Sequence, residues 1–326
     1  MKFYLAPMEG ITGFIFRNAY AKYFGDIDKY ITPFISPGMH HSYKSRELRD
    51  VLPENNEGLN VTVQMLTNNA DDFIHCAKDM KAFGYNEVNL NIGCPSKTVV
   101  TKHRGSGFLE DVEKLDAFFD KILCALDGVI DISIKTRLGL SDVNEFDSLI
   151  EVFRKYPFSE IIVHPRIQKQ MYTDSCNLDK FEKIYNEYLL GDVGKNSTYK
   201  TRIVYNGDIC TKNDYNKIVN RFDRLENVMI GRGIIANPGL VGFIKEGKMV
   251  DVDTLKAFYN EIQKGFLDAK TTPENTVLKM KELYFYLAKS FTNYENYLKD
   301  IKHADSIIEL KAVMNRLFKE KMVLNN

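Results

Sequence analysis

Eight short apolar runs, each of strand length and separated by stretches of helical periodicity, restrict what this chain can fold into more than any other feature. The candidate strands are Phe3–Ala6, Tyr30–Ile35, Leu59–Met65, Glu87–Asn91, Ile132–Thr136, Glu160–His164, Ile203–Asn206 and Asn227–Ile230. Most are rich in β-branched residues. Among the segments between them, Ala70–Phe83 opens after Asn68-Asn69 and closes at Gly84, the punctuation of a capped helix. Val112–Leu126 sets Val112, Leu115, Phe118, Phe119 and Ile122 on one face. Strand–helix alternation of this kind implies a parallel sheet, and eight units over about 240 residues suit a closed (β/α)8 TIM barrel. A doubly wound open sheet is the alternative; it needs a pivot in strand order.

The pattern changes near Lys245. Beyond it, Leu255, Phe258, Tyr259, Ile262 and Phe266 share one helical face, Val277, Met280, Tyr284, Leu287 and Phe291 a second, and Leu310, Val313, Met314 and Leu317 a third. These stripes predict three or four helices whose aromatics are core. The expected organisation is therefore a barrel over residues 1–243 and an all-helical C-terminal domain over 244–326. The expected flexible insertion is Gly191–Thr201, with its glycines, lysines, Asn and Ser.

Composition removes several function classes. The five cysteines are scattered and odd in number, with no C-x-x-C pair, which argues against a disulfide framework or a zinc site and for a reducing cytoplasm. No run approaches a membrane span, and the N-terminus does not read as a secretory signal. With 44 basic and 44 acidic residues, a nucleic-acid partner has to be met by a local basic footprint. No metal site and no stable protein partner are expected.

The polar residues fall where a barrel does its chemistry, at the C-terminal ends of the strands. Strand one ends in Pro7-Met8-Glu9-Gly10, strand three reaches Gln64, and strand four ends at Asn91, before Gly93-Cys94-Pro95. Strand five carries Lys135 and Arg137. Strand six ends His164-Pro165-Arg166, strand seven Asn206-Gly207-Asp208 and strand eight Gly231-Arg232-Gly233. Each alone is weak evidence, but the shared position is strong. The strand-two end, Pro33–Pro37, supplies no clear ligand.

Glycines beside an arginine let backbone N–H groups approach an anion, and barrels commonly bind phosphate after strands seven and eight. An inward Lys135 needs an anionic partner, either a neighbouring carboxylate or a bound group such as the electron-rich edge of a reduced flavin. Gln64 and Asn91 each offer a donor and an acceptor to a ring edge. His164 can donate to such a ring or satisfy a carbonyl. Cys94, between Gly and Pro in a loop that continues through Lys97, Lys102, His103 and Arg104, is poorly explained by packing. Cys76 and Cys124 sit in apolar helical patterns and read as core.

Ala6-Pro7-Met8-Glu9-Gly10-Ile11-Thr12, Asn89-Leu90-Asn91-Ile92-Gly93-Cys94-Pro95-Ser96-Lys97, Lys135-Thr136-Arg137, His164-Pro165-Arg166, Asn206-Gly207-Asp208-Ile209 and Met229-Ile230-Gly231-Arg232-Gly233, taken in this order, resemble the tRNA-dihydrouridine synthases. The likeness covers residues 3 to about 243; the helical remainder is similar to that family's RNA-binding domain in position and size only. The resemblance implies an FMN-dependent barrel that reduces the C5–C6 bond of uridine in tRNA, with NADPH as reductant. It implies FMN contacts from Pro7, Met8, Glu9, Gln64, Lys135 and His164, and a phosphate site of Asn206, Gly207, Asp208, Gly231 and Arg232. It also implies uracil positioning by Asn91, a substrate contact from Arg166, and Cys94 as general acid. The segment Ile167–Tyr172 departs from the family's subgroup patterns and leaves the modified position open. An FMN enzyme acting on a free pyrimidine, or a flavin-containing tRNA-binding protein without catalysis, are the competing readings.

Overall fold

The computed structural model describes residues 1–37, 42–190 and 201–323. Residues 191–200 of the expected flexible insertion lie outside them. Eight parallel strands close into a barrel in sequence order: β1 Lys2–Leu5, β2 Lys29–Ile31, β3 Val61–Met65, β4 Glu87–Ile92, β5 Asp131–Arg137, β6 Glu160–His164, β7 Arg202–Tyr205 and β8 Asn227–Ile230. The open-sheet alternative is thereby excluded. The helices are α1 Phe14–Tyr23, α2 Ser45–Val51, α3 Ala70–Ala82, α4 Lys97–Val100, α5 Val112–Leu126, α6 Glu145–Phe153, α7 Leu178–Tyr185, α8 Lys212–Arg221, α9 Arg232–Ala236, α10 Leu240–Glu246, α11 Val252–Asp268, α12 Pro273–Ala288, α13 Glu295–His303 and α14 Ile307–Leu317.

Two expectations need correction. Strand two stops at Ile31, and only Ile35 returns to bridge Met65. Pro33 lies between, and with no N–H it cannot continue a ladder. Cys124 is exposed whereas Cys76 is buried; Cys124 lies two residues past Ile122, on the other side of α5.

The chain forms two compact units. The first comprises residues 1–7, 29–207 and 222–229; the second 8–28, 208–221 and 230–326. Within the first, strand periodicity sorts the interior. Tyr4, Ala6, Ile31, Ile162, Val204 and Met229 make an apolar cluster. Toward the N-terminal ends of the strands lies a buried ionic floor. Lys29 Nζ reaches Glu87 Oε2 at 2.6 Å and Glu160 Oε2 at 2.9 Å. Glu160 Oε1 accepts from Tyr4 at 2.8 Å and from Arg202 Nε at 3.0 Å. Burial raises the Glu87 carboxyl above the usual carboxylate range while Lys29 opposes it.

The second unit is helical, and its starts are written in the sequence. Asp251, Thr272 and Ser306 accept the third following N–H of α11, α12 and α14, and Pro273 fills the first turn of α12. The three expected apolar stripes are buried. Phe258 of α11 takes the rings of Phe16 and Phe24 edge-on at 5.6 and 5.1 Å, and Tyr259 meets Tyr284 of α12 at 5.1 Å.

Candidate active site

In the barrel unit, register puts Gln64 beside Asn89, Asn89 beside Ser133, Asn91 beside Lys135, and Arg137 beside His164. Alternation along each strand therefore turns these side chains to one face. The amides form a directed chain. Asn91 Nδ2 donates to Gln64 Oε1, Gln64 Nε2 to Asn89 Oδ1, and Asn89 Nδ2 to Ser133 Oγ, each at 2.8 Å. Asn91 Oδ1 then accepts the backbone N–H groups of Gly93 and Cys94 at 3.0 and 2.9 Å. Asn91, expected to position a substrate ring, also brackets the cysteine loop.

The Cys94 backbone is held from the other side as well. Its carbonyl accepts from Ser106 N at 3.0 Å and Ser106 Oγ at 2.9 Å. Gly105 passes directly behind it with φ +56°, and a Cβ there would lie 2.8 Å from the Cys94 carbonyl oxygen, so no other residue fits. The Cys94 side chain retains partial exposure.

The Lys135 ammonium has no hydrogen-bond or acidic partner among the described residues. It keeps some solvent contact but is surrounded by protein. Burial, with help from the Arg137 charge and against the influence of Cys94, pushes its pKa down to about 7. An ammonium so placed favours an anionic ligand.

His164 Nε2 lies 3.0 Å from Arg166 Nη1. Arginine only donates, so Nε2 is the acceptor and the proton of the neutral ring sits on Nδ1. Arg166 is 2% exposed; its other donors go to the Asp174 carbonyl and to Cys176 Sγ at 3.2 Å. Its guanidinium thus orients His164 and the 174–176 turn. Asn206 Nδ2 braces β7 to β8 through the Met229 carbonyl at 2.9 Å. The position after it must be glycine, because a Cβ on Gly207 would meet the Tyr205 ring. Pro7 is half-buried just past β1.

In the helical unit, Met8 N donates to Thr12 Oγ1 at 2.8 Å, and Ile11 and Thr12 N return to the Met8 carbonyl at 3.0 Å. This turn leaves Glu9 exposed. Arg232 Nη2 meets Asp208 Oδ1 at 2.6 Å, and Ile234 N donates to the Gly231 carbonyl at 3.0 Å.

Sequence reasoning gave no role to Asn89, Ser133 or Ser106, and none to the side chain of Tyr172. Tyr172 is exposed, stacks on His164 at 5.9 Å and faces the Arg137 guanidinium at 5.3 Å. The two-residue spacing of Asn89 and Asn91, and of Ser133 and Lys135, was the available signal for the amide chain.

The model of the dihydrouridine synthase (Dus) family matches residues 4–326. This chain belongs to the dihydrouridine synthase family. It is an oxidoreductase. Among its relatives, a protein of Staphylococcus epidermidis named "Probable tRNA-dihydrouridine synthase" is 25% identical over 237 residues, covering 72% of this chain and 69% of that protein. "Probable tRNA-dihydrouridine synthase 2" of Bacillus subtilis is 26% identical over 247 residues, covering 76% and 72%. A solved variant of NCR from Zymomonas mobilis shares the fold, with a TM-score of 0.50, 12% identity, and coverage of 78% of this chain and 90% of that one. No described helix of this dihydrouridine synthase is long and apolar enough to cross a membrane.

Proposed function

We propose that this dihydrouridine synthase reduces specific uridines of tRNA to 5,6-dihydrouridine, with FMN as cofactor and NADPH as reductant. The observation that carries the reading is the Lys135 ammonium, without an acidic partner among the described residues, on the strand face that also presents Gln64, Asn91 and His164, with Asn91 beside it holding the Cys94 loop. Family membership and the names of the relatives support the substrate class. When bound, FMN would supply the hydride, taken from NADPH, to C6 of the uracil ring.

The protein's own groups do the rest. Lys135 would face the electron-rich edge of the isoalloxazine, with Gln64 and the Nδ1–H of His164 beside it. Pro7, Met8 and Glu9 would line the same cofactor through their backbone. Asn206, Gly207, Asp208, Gly231 and Arg232 would surround its phosphate. Cys94 would deliver a proton to C5, from a loop whose backbone does not depend on the thiol. Asn91 would help position the uracil and Arg166 would contact the substrate, while their other hydrogen bonds brace the Cys94 loop and His164. The target uridine has to leave its stack to reach these groups. Residues 244–326 would be the tRNA-binding domain, and the cytoplasm the site of the reaction.

Absorbance under anaerobic conditions tests the whole reading. NADPH should bleach the flavin of the purified protein, and unmodified tRNA should restore it while free uridine does not. Restoration by a free pyrimidine would move the enzyme to small-molecule chemistry. Flavin that tRNA never reoxidises would point to a binding protein.

The Lys135 pKa gives a pH signature. Above pH 7 the free lysine is largely neutral, whereas a lysine holding an anionic ring edge is charged, so binding takes up a proton. FMN affinity should fall between about pH 7 and 9, by up to about tenfold per pH unit. A flat profile in a fluorescence titration would separate Lys135 from the cofactor.

RNA contact should begin beside the cysteine. Lys97 and Lys102 are exposed and Arg104 half-exposed, and none of the three is paired with an acid among the described residues. Changing all three to Gln should weaken tRNA binding and flatten the slope of log K against log salt by about 2, at about 0.7–0.9 per lost phosphate contact. An unaltered slope would leave them as ordinary solvated surface.

A further inference from the structure

Arg137 stands at the end of β5 and is 1% exposed. No acidic side chain pairs with it among the described residues. Its charge is met instead by main-chain dipoles: Nε donates to the Gly93 carbonyl at 2.9 Å, Nη1 to that of Ile167 at 3.1 Å, and Nη2 to that of Met171 at 3.0 Å. The Tyr172 ring covers one face. The first carbonyl belongs to the residue before Cys94; the other two bracket the turn after β6. Met171 holds a left-handed backbone, φ +50°, which a non-glycine residue keeps only when its surroundings enforce it.

We propose that Arg137 is a positioning residue: it fixes the peptide that presents Cys94 and locks that peptide to the Ile167–Met171 turn. Two loops that share no strand thereby become one rigid element. Asn91 holds the N–H side of the Gly93 peptide and Arg137 its carbonyl side, so the plane bearing the Cys94 Cα is set from both directions. Lysine cannot replace the arginine, because a single ammonium cannot span three carbonyls arranged around a planar fork. In catalytic terms the proposal rests on the function assigned above; in structural terms it does not.

The test uses Arg137→Lys and Arg137→Met in the FMN-loaded protein, each with two kinds of readout. The first is the alkylation rate of Cys94 by iodoacetamide across pH, followed on the Cys94 peptide by mass spectrometry. The second separates flavin reduction by NADPH, which does not use Cys94, from reoxidation by unmodified tRNA. The expected result is a Cys94 alkylation rate changed by at least about threefold. Flavin content and NADPH reduction should stay within about twofold. The kcat of tRNA reduction should fall about 10–100-fold, the usual effect of a misplaced catalytic group, with KM for tRNA nearly constant. Lysine should rescue little of it.

A rise in KM with kcat preserved would make Arg137 a substrate contact and overturn the proposal. So would Cys94 alkylation identical to that of the wild type. Met171→Gly, at an exposed position, relieves the left-handed backbone at the far end of the bridge without touching Arg137. It too should alter Cys94 alkylation, and an unchanged rate there would sink the coupling even if the arginine variants fail to fold. Because alkylation needs no tRNA, an enzyme that proves inert toward tRNA would still report on Arg137.

Discussion

Cys94→Ala should keep its FMN, accept hydride from NADPH at the normal rate, and form dihydrouridine about 10²–10⁴-fold more slowly, the usual worth of a general acid. The loop should survive the change, since its hydrogen bonds run through the backbone of Gly93 and Cys94 to Asn91, Ser106 and Arg137. The other thiols are poor substitutes. Cys76 is buried, and burial pushes its pKa up to about 12. Cys176 accepts a hydrogen bond from Arg166, and Cys124 and Cys210 belong to other segments. Single-turnover reoxidation of the reduced flavin by tRNA is the direct measurement. A wild-type rate in the alanine variant would remove Cys94 from the chemistry.

The second large effect lies at the opposite end of the barrel and concerns stability alone. Lys29→Met leaves the Glu87 and Glu160 carboxylates facing each other, with only Arg202, about half-exposed, to offset them. Breaking a buried pair in this way costs about 3–5 kcal/mol, so Tm should drop by about 5 °C. The loss should depend on pH with a definite sign. Burial already raises the Glu87 carboxyl, and without Lys29 it rises further. The native glutamate then holds a proton that the unfolded chain releases, so stability falls as pH increases through that window. The destabilisation should be greatest near about pH 7–8 and shrink toward about pH 5. Equal losses at both ends of this range would mean that Lys29 contributes packing rather than charge.

The barrel and the C-terminal helices were legible because periodicity records which face a residue buries, whatever the partner. The ends of strands were also legible as places, since Gln64, Asn91, Lys135 and His164 do share a face. What those residues bind was less so. An Asn at a strand end looks the same whether it meets a ligand, a neighbouring loop or both, and Asn91 and Arg166 each hold protein groups as well. Arg137 shows the limit most clearly. Its three carbonyl partners lie 30 to 44 residues away in the chain, and main-chain carbonyls leave no trace in side-chain identity. Strand two was overrun because β-branched residues continue past Ile31 and only Pro33 marks the break.

The amide chain from Asn91 through Gln64 and Asn89 to Ser133 has a direction, since every member donates to the next. Turning the Gln64 amide over would set donor against donor on one side and acceptor against acceptor on the other, within a site where Gln64, Asn89 and Ser133 are wholly buried. These positions cannot drift one at a time. Across diverged relatives they should be inherited as a block or replaced as a block, and a sequence alignment showing free exchange at Asn89 beside an unchanged Gln64 and Asn91 would contradict this. Heredity at the centre of the barrel would then follow the polarity of a hydrogen-bond chain rather than the chemistry of any single residue.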